Sequence, residues 1–164
     1  SIDIVLFEFG GNDCDFPWAK IGADADYPKE PFTPMDGFLS GYAEMIRLCR
    51  ERGAHPVMMS LPPLVADKFY RHVTRELDPA GKENVLKWMS GRTDFISNWH
   101  ERYNLAVFSL GREMDVPVVD ITTPFLLRTN YFDYICRDGI HPNEKGHEIM
   151  AERLLEDNKR FNPI

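Results

Sequence analysis

The residues best suited to chemistry lie near the end of the chain, in Arg137-Asp138-Gly139-Ile140-His141-Pro142-Asn143. An Asp three residues before a His, with a Gly between, can turn so that the carboxylate meets one imidazole nitrogen. The other nitrogen is then left facing outward as a base. An orienting carboxylate fixes the tautomer and stabilises the imidazolium that forms when the base takes a proton. Asp-x-x-His is also an ordinary surface turn, and the spacing alone does not decide between the two. A second polar cluster, Gly10-Gly11-Asn12-Asp13, stands at the opposite end of the chain.

The elements around these stretches show how they could be positioned. Ile2 to Phe9 is nearly continuous in apolar and aromatic residues, which suits a parallel strand buried on both faces. In open parallel sheets, sites form beyond the carboxyl ends of the strands, where Asn12 and Asp13 fall. Residues 14–34 read as a long loop, with Pro17, Pro28, Pro31 and Pro34. Its aromatic residues (Phe16, Trp18, Tyr27, Phe32) argue for a packed or functional loop.

A helix follows, with Thr33 as N-cap, Pro34 at its first position and Gly53 at its end. Met35, Phe38, Leu39, Tyr42, Ile46 and Cys49 form its apolar face. Gly37 and Gly41, one turn apart, predict close approach to a sheet. His55–Leu61 reads as the next strand, and Pro62-Pro63 forces an extended exit. Two short helices are expected over 64–90, broken at Asp78-Pro79-Ala80-Gly81.

The longest helix is predicted from Thr93 to Met114, on the stripe Ile96, Trp99, Tyr103, Val107, Leu110. Val116–Ile121 is a third strand, and Asn143 caps a closing helix that runs to Asp157. Alternation of this kind implies an α/β fold, a parallel sheet with helices on both faces, in one domain over residues 1–164.

Composition narrows the partners. At 164 residues the chain is long enough to bury roughly 70% of its unfolded surface, and its 43% hydrophobic content suits a globular core. With 19 basic and 26 acidic residues the formal charge is −7, which disfavours nucleic acid or an anionic membrane surface. No apolar run is long enough to span a bilayer. Asp24-Ala25-Asp26 lacks the spacing of a calcium loop. Cys14, Cys49 and Cys136 lack the spacing of a disulfide framework or a zinc site. Reduced thiols point to the cytoplasm, although a chain taken from inside a longer one would fit a secreted protein as well.

Taken together, the two polar stretches resemble motifs of the SGNH (GDSL-type) hydrolases. Gly10-Gly11-Asn12-Asp13 is similar to that family's Gly-x-Asn-Asp block, and Asp138-Gly139-Ile140-His141-Pro142 to its Asp-x-x-His block. The resemblance implies a three-layer αβα, flavodoxin-like parallel sheet and an ester hydrolase that needs no cofactor or metal. Its expected substrate is an acyl ester of a small molecule or carbohydrate. His141 would be the base, Asp138 its orienting acid, and Asn12 an oxyanion donor, with Gly10, Gly11 and Asp13 supporting that loop. Acyl transfer builds negative charge on a carbonyl oxygen, and an amide donates there without needing to titrate. The plainer reading of Asn12 is a turn residue bonded to its own backbone.

The family pattern also demands a Ser nucleophile in a Gly-Asp-Ser block, and no such block occurs here. The resemblance therefore implies an N-terminally truncated domain lacking its first strands and inactive alone, either a fragment of an intact esterase or a natural short protein that has lost hydrolysis. It leaves 2–9 as an exposed sheet edge that would pair with a second copy or with the missing N-terminal segment. Two other readings follow from the residues. One is a non-catalytic binding module, in which Trp18, Tyr27 and Phe32 hold an acyl or sugar ligand above the strand ends. The other makes Cys14 or Cys136 a thiol nucleophile for His141.

Overall fold

Side chains of one strand divide the core into its two faces. In the computed structural model, which describes residues 3–161, that strand is β2 (His55–Met59). Met58 packs with Tyr42 and Ile46 of α2 (Met35–Glu51) and with Tyr103 and Val107 of α5 (Asp94–Glu113). Val57 and Met59 belong to a different cluster, with Val119 and Ile121, against Met150 and Leu154 of α7 (Glu144–Phe161). This is the two-residue alternation of a pleated strand. Each such side chain stabilises the fold by roughly 1.5–3 kcal/mol when fully buried.

Three parallel strands lie in the order β1 (Ile4–Phe7), β2, β3 (Val118–Val119). Leu6 stands opposite Val57, and Met58 opposite Val118. The result is helix, sheet, helix in three layers, as expected. A further aromatic core, with Phe16, Trp18, Phe69 and Trp88, joins α1 (Trp18–Ala23), α3 (Ala66–Val73) and α4 (Pro79–Trp88). After β3 come α6 (Thr122–Leu126) and a 3₁₀ turn at Tyr131–Tyr134.

Several expectations are corrected. β1 is shorter than 2–9, and Ser1 and Ile2 lie outside the described residues. As the edge strand it is not buried on both faces: Ile4 and Leu6 are 45% and 44% exposed. Residues 14–34 are not loop throughout, because burial of Trp18 and Ile21 holds a helix there between flanking prolines. Pro34, not Thr33, is the N-cap of α2. Gly37 and Gly41 do not approach the sheet; nothing would meet a Cβ at Gly41. The close approach is at Gly111 of α5, where a Cβ would run into Val118 and lie 3.0 Å from the Val116 carbonyl.

Candidate active site

The chain leaves β1 through Glu8 and Phe9 and turns at Gly10. Gly10 has φ +136°, and a Cβ there would stand 2.9 Å from Leu61, so only glycine fits without displacing that side chain. The turn is closed by Cys14 N–H donating to the Gly10 carbonyl at 3.0 Å. It presents Asn12 to solvent, and the carboxamide makes no hydrogen bond to any described residue. The plainer reading of Asn12, a side chain spent on its own backbone, is thereby removed.

The second stretch is held more firmly. Gly139 has φ +82° and its carbonyl accepts from Val65 N–H at 2.8 Å. Lys68 of α3 donates to the carbonyls of Phe132 (2.6 Å) and Ile135 (2.8 Å). Cys136 N–H donates to the His141 carbonyl at 2.8 Å, beside a bridge between Ile135 and Pro142. Asn143 caps α7, its Oδ1 accepting from Gly146 N–H at 3.1 Å.

On this frame Asp138 Oδ2 lies 2.9 Å from His141 Nδ1. Its Oδ1 accepts from the backbone N–H groups of Ile140 (3.0 Å) and His141 (3.1 Å). Partial burial raises the Asp138 carboxyl, but these hydrogen bonds and the His141 ring outweigh it and hold the group below the ordinary Asp range. Asp138 is therefore a carboxylate at neutral pH. The His141 ring is exposed, and its Nε2 makes no hydrogen bond to a described residue.

His141 and Asn12 line one cavity of about 300 Å³ beyond the carboxyl ends of β1 and β2. Gly10, Gly11 and Asp13 line it too, with Leu61, Pro62 and Ile140. The two polar stretches thus meet. Glu8, His100 and His147, which the motifs do not flag, share the wall. Burial raises the Glu8 carboxyl, and the nearby His141 partly offsets this. His100 had a signal in the sequence: it stands four residues after Ile96 on the buried stripe of α5, where a polar residue is the informative exception.

Residues 1–149 match the model of the GDSL-like Lipase/Acylhydrolase family. The chain belongs to this family. A GDSL esterase/lipase of Oryza sativa subsp. japonica is 23% identical over 155 residues, which cover 93% of this chain and 52% of the rice protein. Among solved structures, a GDSL-like lipase from Bacteroides thetaiotaomicron VPI-5482 superposes with a TM-score of 0.62 at 16% identity, covering 97% of this chain and 63% of that one. The second likeness speaks for the fold alone. This GDSL-like chain spans about half the length of the rice relative and under two thirds of the bacterial structure.

The remaining candidates lie elsewhere. Trp18 is buried among Phe16, Phe69 and Trp88 and donates to Asp15 at 2.7 Å. The Tyr27 carbonyl accepts from Trp88 Nε1, and Phe32 is 61% exposed. None of these three aromatic residues lines the cavity. All three cysteines are free. Cys14 is buried, and burial beside Asp15 and Asp13 pushes its thiol up to about 12, which keeps it protonated and inert. Among the described residues no Ser, Thr or Cys lines the cavity. Ser60 is fully buried, accepting from the N–H groups of Ile121 and Thr122.

No group of three or more candidate metal-binding side chains occurs among the described residues. None of the described helices is long and apolar enough to cross a membrane.

Proposed function

We propose that this GDSL-like chain carries the base, the orienting acid and the oxyanion donor of an ester hydrolase that acts on an acyl ester of a small molecule or carbohydrate. His141 Nε2 takes the proton of a hydroxyl nucleophile and returns it to the leaving alcohol. Asp138 holds the ring through Nδ1 and stabilises the imidazolium between those two steps. Asn12 donates to the carbonyl oxygen as it becomes an oxyanion. Among the described residues no hydroxyl or thiol borders the cavity, so the nucleophile of this reading is supplied from elsewhere, and the absence of a Gly-Asp-Ser block favours a segment outside these 164 residues. The observation that carries the reading is the shared cavity: an oriented imidazole and an unengaged carboxamide, more than a hundred residues apart, line one gap. Membership of the GDSL-like Lipase/Acylhydrolase family and the rice relative support the same class of chemistry.

The test compares the 164-residue chain with a longer form of the natural protein. The longer form is expected to hydrolyse p-nitrophenyl acetate and to take up a fluorophosphonate on one Ser. The short chain is expected to do neither. Stoichiometric labelling of a Ser within the 164 residues would overturn this assignment. The aromatic residues of the alternative binding module, Trp18, Tyr27 and Phe32, do not line this cavity.

A further inference from the structure

Where the chain leaves β2, side chains take over the bonding that the sheet provides further back. Ser60 N–H still donates to the Val119 carbonyl of β3 at 3.0 Å. Leu61 follows, 1% exposed, and Pro62 and Pro63 after it have no N–H to offer. Buried backbone groups need partners. Leu61 receives both of its own from side chains distant in sequence. Its N–H donates to Asn104 Oδ1 of α5 at 2.9 Å, and its carbonyl accepts from Thr122 Oγ1 of α6 at 2.7 Å.

Around Leu61 the polar groups close into one buried network. Asn104 Nδ2 donates to Glu101 Oε1 at 2.8 Å and to Thr122 Oγ1 at 3.1 Å. The Thr122 and Ser60 hydroxyls lie 2.8 Å apart, and Ser60 Oγ accepts from the N–H groups of Ile121 (2.9 Å) and Thr122 (3.1 Å). With the Thr122 proton given to Leu61, that of Ser60 goes to Thr122, so every side-chain donor of Asn104, Thr122 and Ser60 is used. A buried network satisfied in this way holds the chain in one arrangement. What it holds here borders the cavity: Leu61 lines it, and its side chain occupies the place that a Cβ on Gly10 would take. Gly10 opens the turn that carries Asn12.

We propose that Asn104 and Thr122 are positioning residues for the oxyanion donor: by holding both backbone groups of Leu61 they keep its side chain against Gly10, and so set where the turn presents the Asn12 carboxamide. This rests on the ester-hydrolase reading of the cavity, in which Asn12 is that donor. A misplacement of about 1 Å, caused far from the chemistry, costs up to about 10²-fold in rate. Two side chains that touch no reacting atom therefore govern kcat.

Backbone motion tests this without requiring turnover. In the 164-residue chain the N–H groups of Gly11 and Asn12 are expected to be as rigid as β2, with nitrogen-15 order parameters of about 0.85. Thr122→Val removes the hydroxyl at nearly constant size and should lower both toward about 0.6, the flexible range, while the His141 N–H stays rigid. Asn104→Leu should do the same, and Thr122→Ser, which keeps the hydroxyl, should restore rigidity. A turn that is mobile in the wild-type chain, or left rigid by Thr122→Val, overturns the proposal; the first outcome is read even if a variant fails to fold. In a longer form that carries the proposed nucleophile, Thr122→Val is expected to lower kcat about tenfold or more, with KM and the pH profile unchanged. In an Asn12→Ala background the same substitution should cost under about twofold, because the donor it displaces is already gone. Equal losses in both backgrounds refute the positioning role and leave the hydrolase. A longer form that hydrolyses no ester refutes the hydrolase reading, and the order parameters still decide whether Asn104 and Thr122 hold the turn.

Discussion

Asp138 grips His141 at two levels: Oδ2 meets the ring Nδ1 at 2.9 Å while Oδ1 accepts the backbone N–H of the same residue at 3.1 Å. One carboxylate thereby fixes both the ring and the turn that carries it. In a longer form that carries the proposed nucleophile, His141→Ala is expected to lower kcat by about 10⁴-fold or more, with KM changing little. Asp138→Asn keeps the size of the group but removes its charge, and is expected to cost about 10²–10⁴ in kcat. Steady-state kinetics on a soluble acetyl ester measures both. A His141→Ala enzyme with most of its activity intact would take that residue out of the mechanism.

Asn12 is the cleanest separation of chemistry from stability. Its side chain is exposed and makes no hydrogen bond to a described residue, so Asn12→Ala should leave the melting temperature essentially where it was. Loss of an oxyanion donor is expected to lower kcat by about 10²–10³. Calorimetry and kinetics on the same preparation check the pair of outcomes. A large fall in melting temperature would make Asn12 a structural turn residue instead.

Gly139 should behave in the opposite way. A Cβ there would run into Phe69 N and stand 2.8 Å from the Val65 carbonyl, at a φ that strains any other residue. Gly139→Ala is expected to destabilise the fold by about 2 kcal/mol or more, combining backbone strain with displacement of α3. Urea denaturation reads this directly. A stability change below about half a kcal/mol would show that the loop and α3 are not locked together.

The order of the three strands and of α2, α3, α4, α5 and α7 was legible because their apolar runs and stripes are regular, and Asn143 announced the start of α7; the short α1, α6 and the 3₁₀ turn carry no such stripe and read as irregular chain in the sequence. Both polar stretches were legible as motifs, and the structure brings them to one cavity. What the spacing could not supply was tertiary context. Gly37 and Gly41 have the one-turn separation of a packing face yet point to solvent, while Gly111 makes the close approach. The aromatic residues of 16–32 suggested a ligand loop, but Trp18 is consumed by a core with α3 and α4. Glu8 follows directly on the apolar run of β1 and His100 sits inside the apolar stripe of α5, and only the three-dimensional cavity gives them a place beside His141.

His100 also predicts how stability depends on pH. Its folded value of about 4 lies below the free-imidazole value of about 6.5, so the unfolded chain binds this proton first. The contribution is fully present above about pH 6.5, falls as the pH drops toward about 4, and levels off below that. Between about pH 7 and about pH 5 the loss is roughly 2 kcal/mol. Asp138 adds loss in the same direction, but only as the pH falls through its own depressed value. Urea denaturation at the two pH values measures the slope, and His100→Phe should flatten it. A wild-type slope that survives the substitution would assign the effect to other groups.

Among the described residues β1 ends the sheet on one side, so one row of its backbone donors and acceptors has no described strand beside it. Ile4, Leu6 and Phe9 are 45%, 44% and 44% exposed along the same segment. An apolar edge without Pro or Lys is a template for another strand, and a charge placed on it blocks that pairing. The isolated 164-residue chain is therefore expected to self-associate through β1, giving a light-scattering mass at least twice that of one chain. Leu6→Lys should return it toward the monomer while leaving the far-ultraviolet circular dichroism unchanged. In a longer protein whose upstream segment lays a strand along β1, the same substitution should lower stability and leave the mass alone. A wild-type chain that stays monomeric at high concentration would remove β1 as an association surface.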